Sequence, residues 1–265
     1  MTARTPLDPA ALRAGLPGRE VHAPAATGST NADALARAAA GAAGGTVVAT
    51  AEQRAGRGRM NRAWVAPPGA TIALSVLLRP IGVPPARLGL LPLVAGLAVR
   101  DALAGLGVAA ELKWPNDVLV GGRKICGILV EAASLEPPAL VVGIGVNVDL
   151  AEAELPVPHA TSLRLLGHRE VDREALAAAI VAALDARVAR WGADAAALLA
   201  DYRGACATIG RRVRAELPDG SAIAGTATAV LGDGELEIRG ADGARHALTA
   251  GDVTHLRGAG GYGGR

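Results

Sequence analysis

The chain has 265 residues, with no Phe, two Lys (Lys113, Lys124), one Gln (Gln53), four Asn (Asn31, Asn61, Asn116, Asn147) and two Cys. Cys126 and Cys206, with no CxxC pair, exclude a disulfide scaffold and a structural zinc site. An excess of one charge is also missing. Lys and Arg total 27 against 25 Asp and Glu, a net +2 that is too balanced for a protein built to coat nucleic acid. Long apolar runs are absent too. The longest, residues 88–99, stops at Arg100 and falls short of the roughly 20 residues that cross a bilayer. The first ten residues, MTARTPLDPA, lack the apolar core of a signal peptide. These absences lead us to expect a soluble, cytoplasmic protein with no membrane partner. The 51% of hydrophobic residues excludes wholesale disorder and suffices for one large or two modest domains.

Ala, Gly and Arg fill the vacant share. With 25 Arg beside two Lys, the composition fits a GC-rich coding bias that uses Arg wherever charge alone matters. Where Lys, Asn or Gln survives that pressure, a substitute has failed. The survivors mark five short segments.

The pattern along the chain alternates helices and strands. Residues 1–26 are rich in Pro and Ala, with a weak helical spacing of Leu7, Leu12 and Leu16. Ser29-Thr30-Asn31 offers cap residues for a helix over 32–40, ended by Gly41, Gly44 and Gly45. Strands are expected at 46–50 and 71–78, and the aperiodic segment 52–62, EQRAGRGRMNR, reads as a loop. A helix follows through 88–102, where Pro92 is expected to kink or restart it. Strands are expected at 110–113, 118–120, 124–131 and 140–148, with turns at 114–117 and Gly121-Gly122. Asp172 caps a long helix to about Trp191, and another covers 194–204. Beyond Gly210, Asp-Gly pairs at 219–220, 233–234 and 242–243 separate short alternating runs, as in the hairpins of a small β-barrel.

Three segments carry chemistry. Gly56-Arg57-Gly58-Arg59, with Arg54 and Arg62 nearby, lets the backbone approach a ligand and lets guanidinium groups fork onto phosphate or carboxylate oxygens. Alone, it is equally a solvated basic loop or a nucleic-acid contact. Lys113-Trp114-Pro115-Asn116-Asp117 is either a ligand-facing turn or a hairpin with a packed Trp. Lys124 starts the next strand, so both ammonium groups are expected to face one pocket. Gly143-Ile144-Gly145-Val146-Asn147 lacks the third glycine of a dinucleotide fingerprint, and no P-loop occurs.

Taken in order, Ser29-Thr30-Asn31, then Gln53 with Gly56-Arg57-Gly58-Arg59 and Arg62-Ala63-Trp64, then Lys113-Trp114-Pro115-Asn116-Asp117, then Lys124 with Gly127-Ile128-Leu129, then Gly143-Ile144-Gly145-Val146-Asn147 resemble the bacterial biotin protein ligases. The region from 210, ending in Gly251-Asp252-Val253, resembles the SH3-like domain of that family. The resemblance implies an α+β fold. A mixed sheet with flanking helices, of the class II synthetase-like biotin–lipoate ligase type, would occupy residues 1–209, with 1–26 as an N-terminal extension. A small SH3-like β-barrel would occupy 210–258, and 259–265 would be a flexible tail. Two-function members carry an N-terminal winged-helix domain. Only some 26 residues precede the matching stretch, which starts at about residue 27, so the single-function form is implied, without DNA as a partner.

The implied activity is ATP-dependent formation of biotinyl-5'-AMP, then transfer of biotin to a lysine of the biotin carboxyl carrier domain of acyl-CoA carboxylases. ATP, biotin and Mg²⁺ are the implied small molecules, and a monomer or weak homodimer the implied state. Lys124 and Arg57 would be catalytic. Ser29, Thr30, Asn31, Gln53, Gly56, Gly58 and Gly127 would bind biotin together with Arg57, Arg59 and Lys124. Arg57, Arg59, Arg62, Trp64, Lys113, Asn116 and Asn147 would bind ATP and the adenylate, and Asp117 would hold the metal. A lipoate or octanoate ligase or transferase of the same fold, and a non-enzymatic biotin or nucleotide sensor, are the alternatives.

Overall fold

The computed structural model describes residues 4–80, 83–217 and 219–256; the expected tail, 259–265, lies outside them. In chain order the larger part contains α1 (Pro9–Gly15), β1 (Val21–His22), α2 (Thr30–Ala39), β2 (Val47–Thr50), β3 (Thr71–Leu78), α3 (Leu91–Ala104), β4 (Glu111–Lys113), β5 (Asp117–Val120), β6 (Arg123–Leu135), β7 (Pro138–Asn147), α4 (Arg173–Ala193) and α5 (Ala195–Ala205). Its seven strands form one sheet in the order β1-β2-β3-β7-β6-β5-β4. The β1–β2 pair is parallel and the other pairs are antiparallel, so the sheet is mixed, as expected.

Side-chain alternation decides what covers each face. Ile72, Leu74 and Val76 of β3 lie with Val142, Ile144 and Val146 of β7 in the main core, which also holds the inward residues of α3 and α4. The opposite face carries Ala73, Ser75, Gly143, Gly145 and Asn147, too small to support a second full helical layer. There α2 covers one end only, through Ala34 and Ala38 against Val48, Leu77 and Val141. The remainder of that face stays open.

Local signals behave as their chemistry requires. The Ser29 hydroxyl caps α2 at Ala32 N–H, the Asp172 carboxylate caps α4 at Ala175 N–H, and Asp194 caps α5 at Ala197 N–H. Pro92 falls in the first turn of α3, where its missing N–H costs nothing, so it starts the helix after a 3₁₀ turn at Pro85–Leu90 rather than kinking it. Two strands differ from expectation. β6 runs on to Leu135, and β1 arises in the Pro-rich N-terminal region by pairing Val21 with Val47.

The second sheet holds β8 (Arg212–Glu216), β9 (Ala222–Val230), β10 (Leu236–Arg239), β11 (Arg245–Leu248) and β12 (Asp252–His255) in the order β11-β10-β9-β8-β12. Its turns fall at the three expected Asp-Gly pairs, each with glycine at positive φ: Gly220 83°, Gly234 85° and Gly243 82°. The expected SH3-like domain is found as one five-stranded antiparallel sheet. β11 and β12 are edge strands, and the sheet is open among the described residues.

A buried chain of polar groups joins the two parts. Trp114 N–H donates to Thr208 Oγ1 at 3.0 Å, and that hydroxyl meets His255 Nε2 at 3.0 Å. Burial, with the charges of Lys113 and Arg211, pushes His255 down to about 4. A hydroxyl already accepting from Trp114 is suited to donate, which favours neutral His255. The unfolded chain binds a proton near the ordinary histidine value while the folded chain does not. Stability is therefore expected to fall as pH drops from about 6.5 towards 4, and to be insensitive to this group above that range. Denaturant titrations at pH 7 and pH 5 should show the loss, and His255→Gln should reduce it. An unchanged pH dependence in that variant would exclude His255 as its source.

Candidate active site

The open face of the first sheet forms the floor of a cavity of about 390 Å³. Backbone pairing lines up Ala73, Gly145, Gly127 and Asp117 across β3, β7, β6 and β5, giving a strip with almost no side chain that ends at a carboxylate. Trp64 lies over this strip. A Cβ on Gly145 would come within 2.7 Å of the Trp64 ring, and one on Gly127 within 3.0 Å, so both positions require glycine for the indole to sit there. Trp64 Nε1 is buried without a hydrogen-bond partner among the described residues.

A bulge aims Lys124. Val118 pairs with Cys126, but Leu119 pairs with Lys124, leaving Ile125 as an extra residue in β6. Without it, Lys124 and Gly127 would face opposite sides of the sheet; with it, both face the cavity. Lys124 Nζ is 2.5 Å from Asp117 Oδ1 and 5.8 Å from the Trp64 ring centre. Lys113 Nζ lies 3.6 Å from the other oxygen of Asp117. The two lysines thus converge on one carboxylate, but only Lys124 lines the cavity. Backbone bonds from Lys124 N–H to His159 O (2.7 Å) and from Thr161 N–H to Lys124 O (2.8 Å) clamp the lysine's main chain.

At the other end, the first turn of α2 meets Gln53. Gln53 Oε1 accepts from Thr30 N–H (2.8 Å) and the Thr30 hydroxyl (3.1 Å), leaving its Nε2 free of these contacts. Asn31 is fully engaged. Its Oδ1 accepts from Ser75 Oγ at 2.6 Å, and its Nδ2 donates to Leu129 O at 3.2 Å and Glu131 Oε2 at 2.7 Å. Ser29, Thr30, Asn31 and Gln53 all line the cavity, and the cap role of Ser29 coexists with that exposure.

The arginine loop arches over the mouth. Arg57, Gly58, Arg59 and Arg62 line it, together with Asn116 and Asn147. Arg59 donates to Asn116 Oδ1 (3.3 Å) and to Gly251 O (3.1 Å), and Arg62 pairs with Asp252 at 2.5 Å. That ion pair, first of all its hydrogen bond, holds the Asp252 carboxyl below the usual range. Met60 and Asn61 both adopt left-handed backbone, φ 55° and 56°, a strained turn at the tip. Asn147 spends its amide on Thr161 O at 2.9 Å, which fixes the far wall.

Two expected residues lie off the cavity wall. Gly56 sits behind it, where a Cβ would come within 2.7 Å of the Trp64 carbonyl oxygen. Lys113 reaches the site only through Asp117. Trp114 is also turned away, buried in the core with its Nε1–H on Gly234 O at 2.8 Å. Sequence reasoning missed Val157, His159 and Asp252, which complete the rim. Burial and then the charges of Lys113 and Lys124 lower His159, which disfavours a further cation there.

The family model described as "Biotin/lipoate A/B protein ligase family" matches residues 27–149, and "Biotin protein ligase C terminal domain" matches 208–256. A biotin–[acetyl-CoA-carboxylase] ligase of Mycobacterium tuberculosis is 45% identical over 264 residues, covering 96% of this chain and 97% of that one. The structure of a biotin protein ligase from Aquifex aeolicus in complex with biotin and ATP superposes with TM-score 0.76 at 24% identity, over 90% of this chain and 98% of that one. A biotin protein ligase from Leishmania major in complex with biotinyl-5-AMP gives 0.61 at 25% identity, over 88% and 99%.

Proposed function

The chain belongs to the biotin protein ligases of the biotin/lipoate A/B protein ligase family, and we propose that it activates biotin with ATP and transfers it to a lysine of the biotin carboxyl carrier domain of acyl-CoA carboxylases. One observation carries this reading: motifs separated by more than a hundred residues meet at one cavity, with a glycine floor under an indole and a cationic rim. In the first step a carboxylate oxygen of biotin attacks the α-phosphorus of ATP, and the bond to pyrophosphate breaks. In the second, the acceptor amine attacks the acyl carbon, the bond to AMP breaks and the amine loses a proton. Neither step needs a covalent enzyme intermediate. Both need positioning and compensation of negative charge in a site shielded from water.

The residues divide that work. The ring system of biotin would lie beside the Trp64 indole, which itself covers the strip of Gly127 and Gly145, with Ser29 and Gln53 offering hydrogen bonds to its polar end. Asn31 shapes the wall rather than binding, because its amide is already spent. Lys124 would meet the carboxylate and phosphate as they react, with Arg57 and Arg59 from above. Arg62, Asn116 and Asn147 would border the nucleotide. Residues 1–209 would hold the reacting groups, and 210–258 would close one wall through Asp252.

A Mg²⁺ that accompanies ATP would take most of its ligands from phosphate oxygens and water. No three His, Cys, Asp or Glu side chains cluster among the described residues, and Asp117 and Asp252 are each held by cations. Asp117 is therefore better read as the anchor of Lys124 than as a metal ligand.

Incubation with ATP, biotin and a carrier domain is expected to biotinylate one lysine of that domain. Labelling with octanoate or lipoate instead would move the chain to the acyl-transferase reading. Biotin binding without pyrophosphate release would make it a sensor. The loop supplies an independent check. Arg54 and Arg57 are exposed in a segment of like charges, so trypsin should cut there. Biotin with ATP should supply the negative charge that orders the loop and slow the cut severalfold, on the order of the populations shifted by tight binding. Equal cleavage with and without both substrates would contradict loop closure.

A further inference from the structure

Glu131 belongs to none of the motifs above. It lies on β6 two residues beyond Leu129, and alternation puts Gly127, Leu129 and Glu131 on the cavity face of the sheet. Its carboxylate is shared. Oε2 accepts from Asn31 Nδ2 at 2.7 Å, and Oε1 lies 3.2 Å from Arg57 Nη2. Asn31 has no freedom to turn away, since Ser75 holds its other end and Leu129 O takes its second donor. The result is a continuous polar line from Ser75 through Asn31 and Glu131 to Arg57. It joins the first turn of α2, where the polar end of biotin is read, to the loop that would cover the reacting phosphate.

We propose that Glu131 is a positioning residue for adenylation, holding Arg57 by charge while its second oxygen is fixed by Asn31. The proposal rests on the biotin ligase reading. An Arg on a Gly-flanked loop has many rotamers, and ordering it when the anion forms would slow the step. A half-buried carboxylate fixed at its other oxygen removes much of that search. Glu131 touches neither substrate in this scheme; it acts through Arg57.

The test is a double-mutant cycle on pyrophosphate release with biotin and ATP, without acceptor. Glu131→Gln keeps size and the bond to Asn31 but removes the charge on Arg57. It is expected to lower kcat about fivefold to tenfold while the KM for biotin stays within about twofold, the signature of an interaction that matters in the transition state. In an Arg57→Gln background the same substitution should change nothing further. Glu131→Asp, which keeps charge but shortens reach, gives the same comparison if the Gln variant is unstable. Losses that add in the double variant, or a change confined to KM, would overturn the role. Wild-type protein that releases no pyrophosphate would overturn the ligase reading and this proposal with it.

Discussion

Lys124→Ala is expected to slow pyrophosphate release by about a hundredfold or more, the usual effect of losing one preorganised charged donor from a site that excludes water. Three observations set that size. Ile125 is an extra residue whose effect is to turn Lys124 into the cavity. Asp117 grips the ammonium at 2.5 Å, and backbone bonds to residues 159 and 161 lock the main chain beneath it. A position so heavily specified is not a solvated surface charge. Lys124→Arg is the sharper variant, because it keeps the net charge. The wider planar fork would have to replace a compact ammonium held between Asp117, Trp64 and Gly127, so at least a roughly tenfold loss is expected, equivalent to about 1.4 kcal/mol of the barrier. An Arg variant with the parent's rate would show that charge alone suffices at this place.

The GIGVN segment shows how much of this site sequence could carry. Gly143, Gly145 and Asn147 are spaced by two, so in a strand they must share a face, and a strand face without side chains is a place for something else to lie. The missing third glycine spoke only against a dinucleotide site. Lys124 and Gly127 were harder. Three apart in a regular strand they oppose each other, and nothing in the local sequence announces the bulge that brings them together. The rim residues Val157, His159 and Asp252 were illegible for a different reason. They come from an aperiodic Pro-rich loop and from the second sheet, and only tertiary packing carries them to the cavity. The open second sheet is a similar case, since Asp-Gly spacing locates hairpins but not whether the first and last strands join.

Trp114 settles in the other direction from its neighbours, and its removal should have the largest effect on stability. Asn116 and Asp117 turn towards the site and Lys113 reaches it through Asp117, whereas the indole is 2% exposed in the main core and reaches the other sheet through Nε1–H to Gly234 O at 2.8 Å. Gly234 is packed closely enough on the 3₁₀ turn before α3 that a Cβ there would come within 2.6 Å of Leu90. Trp114 N–H adds the bond to Thr208, so one residue joins β4, the segment after α5 and the β9–β10 turn. Trp114→Ala should cost about 3–5 kcal/mol, the range for emptying a buried large aromatic site. That is a large part of the roughly 5–15 kcal/mol that typically holds a domain together. Trp114→Phe should be milder, about 1–3 kcal/mol, because it leaves the Gly234 carbonyl unpaired but keeps most of the packing. Denaturant titration gives both values, and hydrogen exchange should show protection lost first in residues 208–256. A Trp114→Phe chain of unchanged stability that cannot form the adenylate would assign the indole to the nucleotide, and the ligand-facing reading of the whole turn would replace this one.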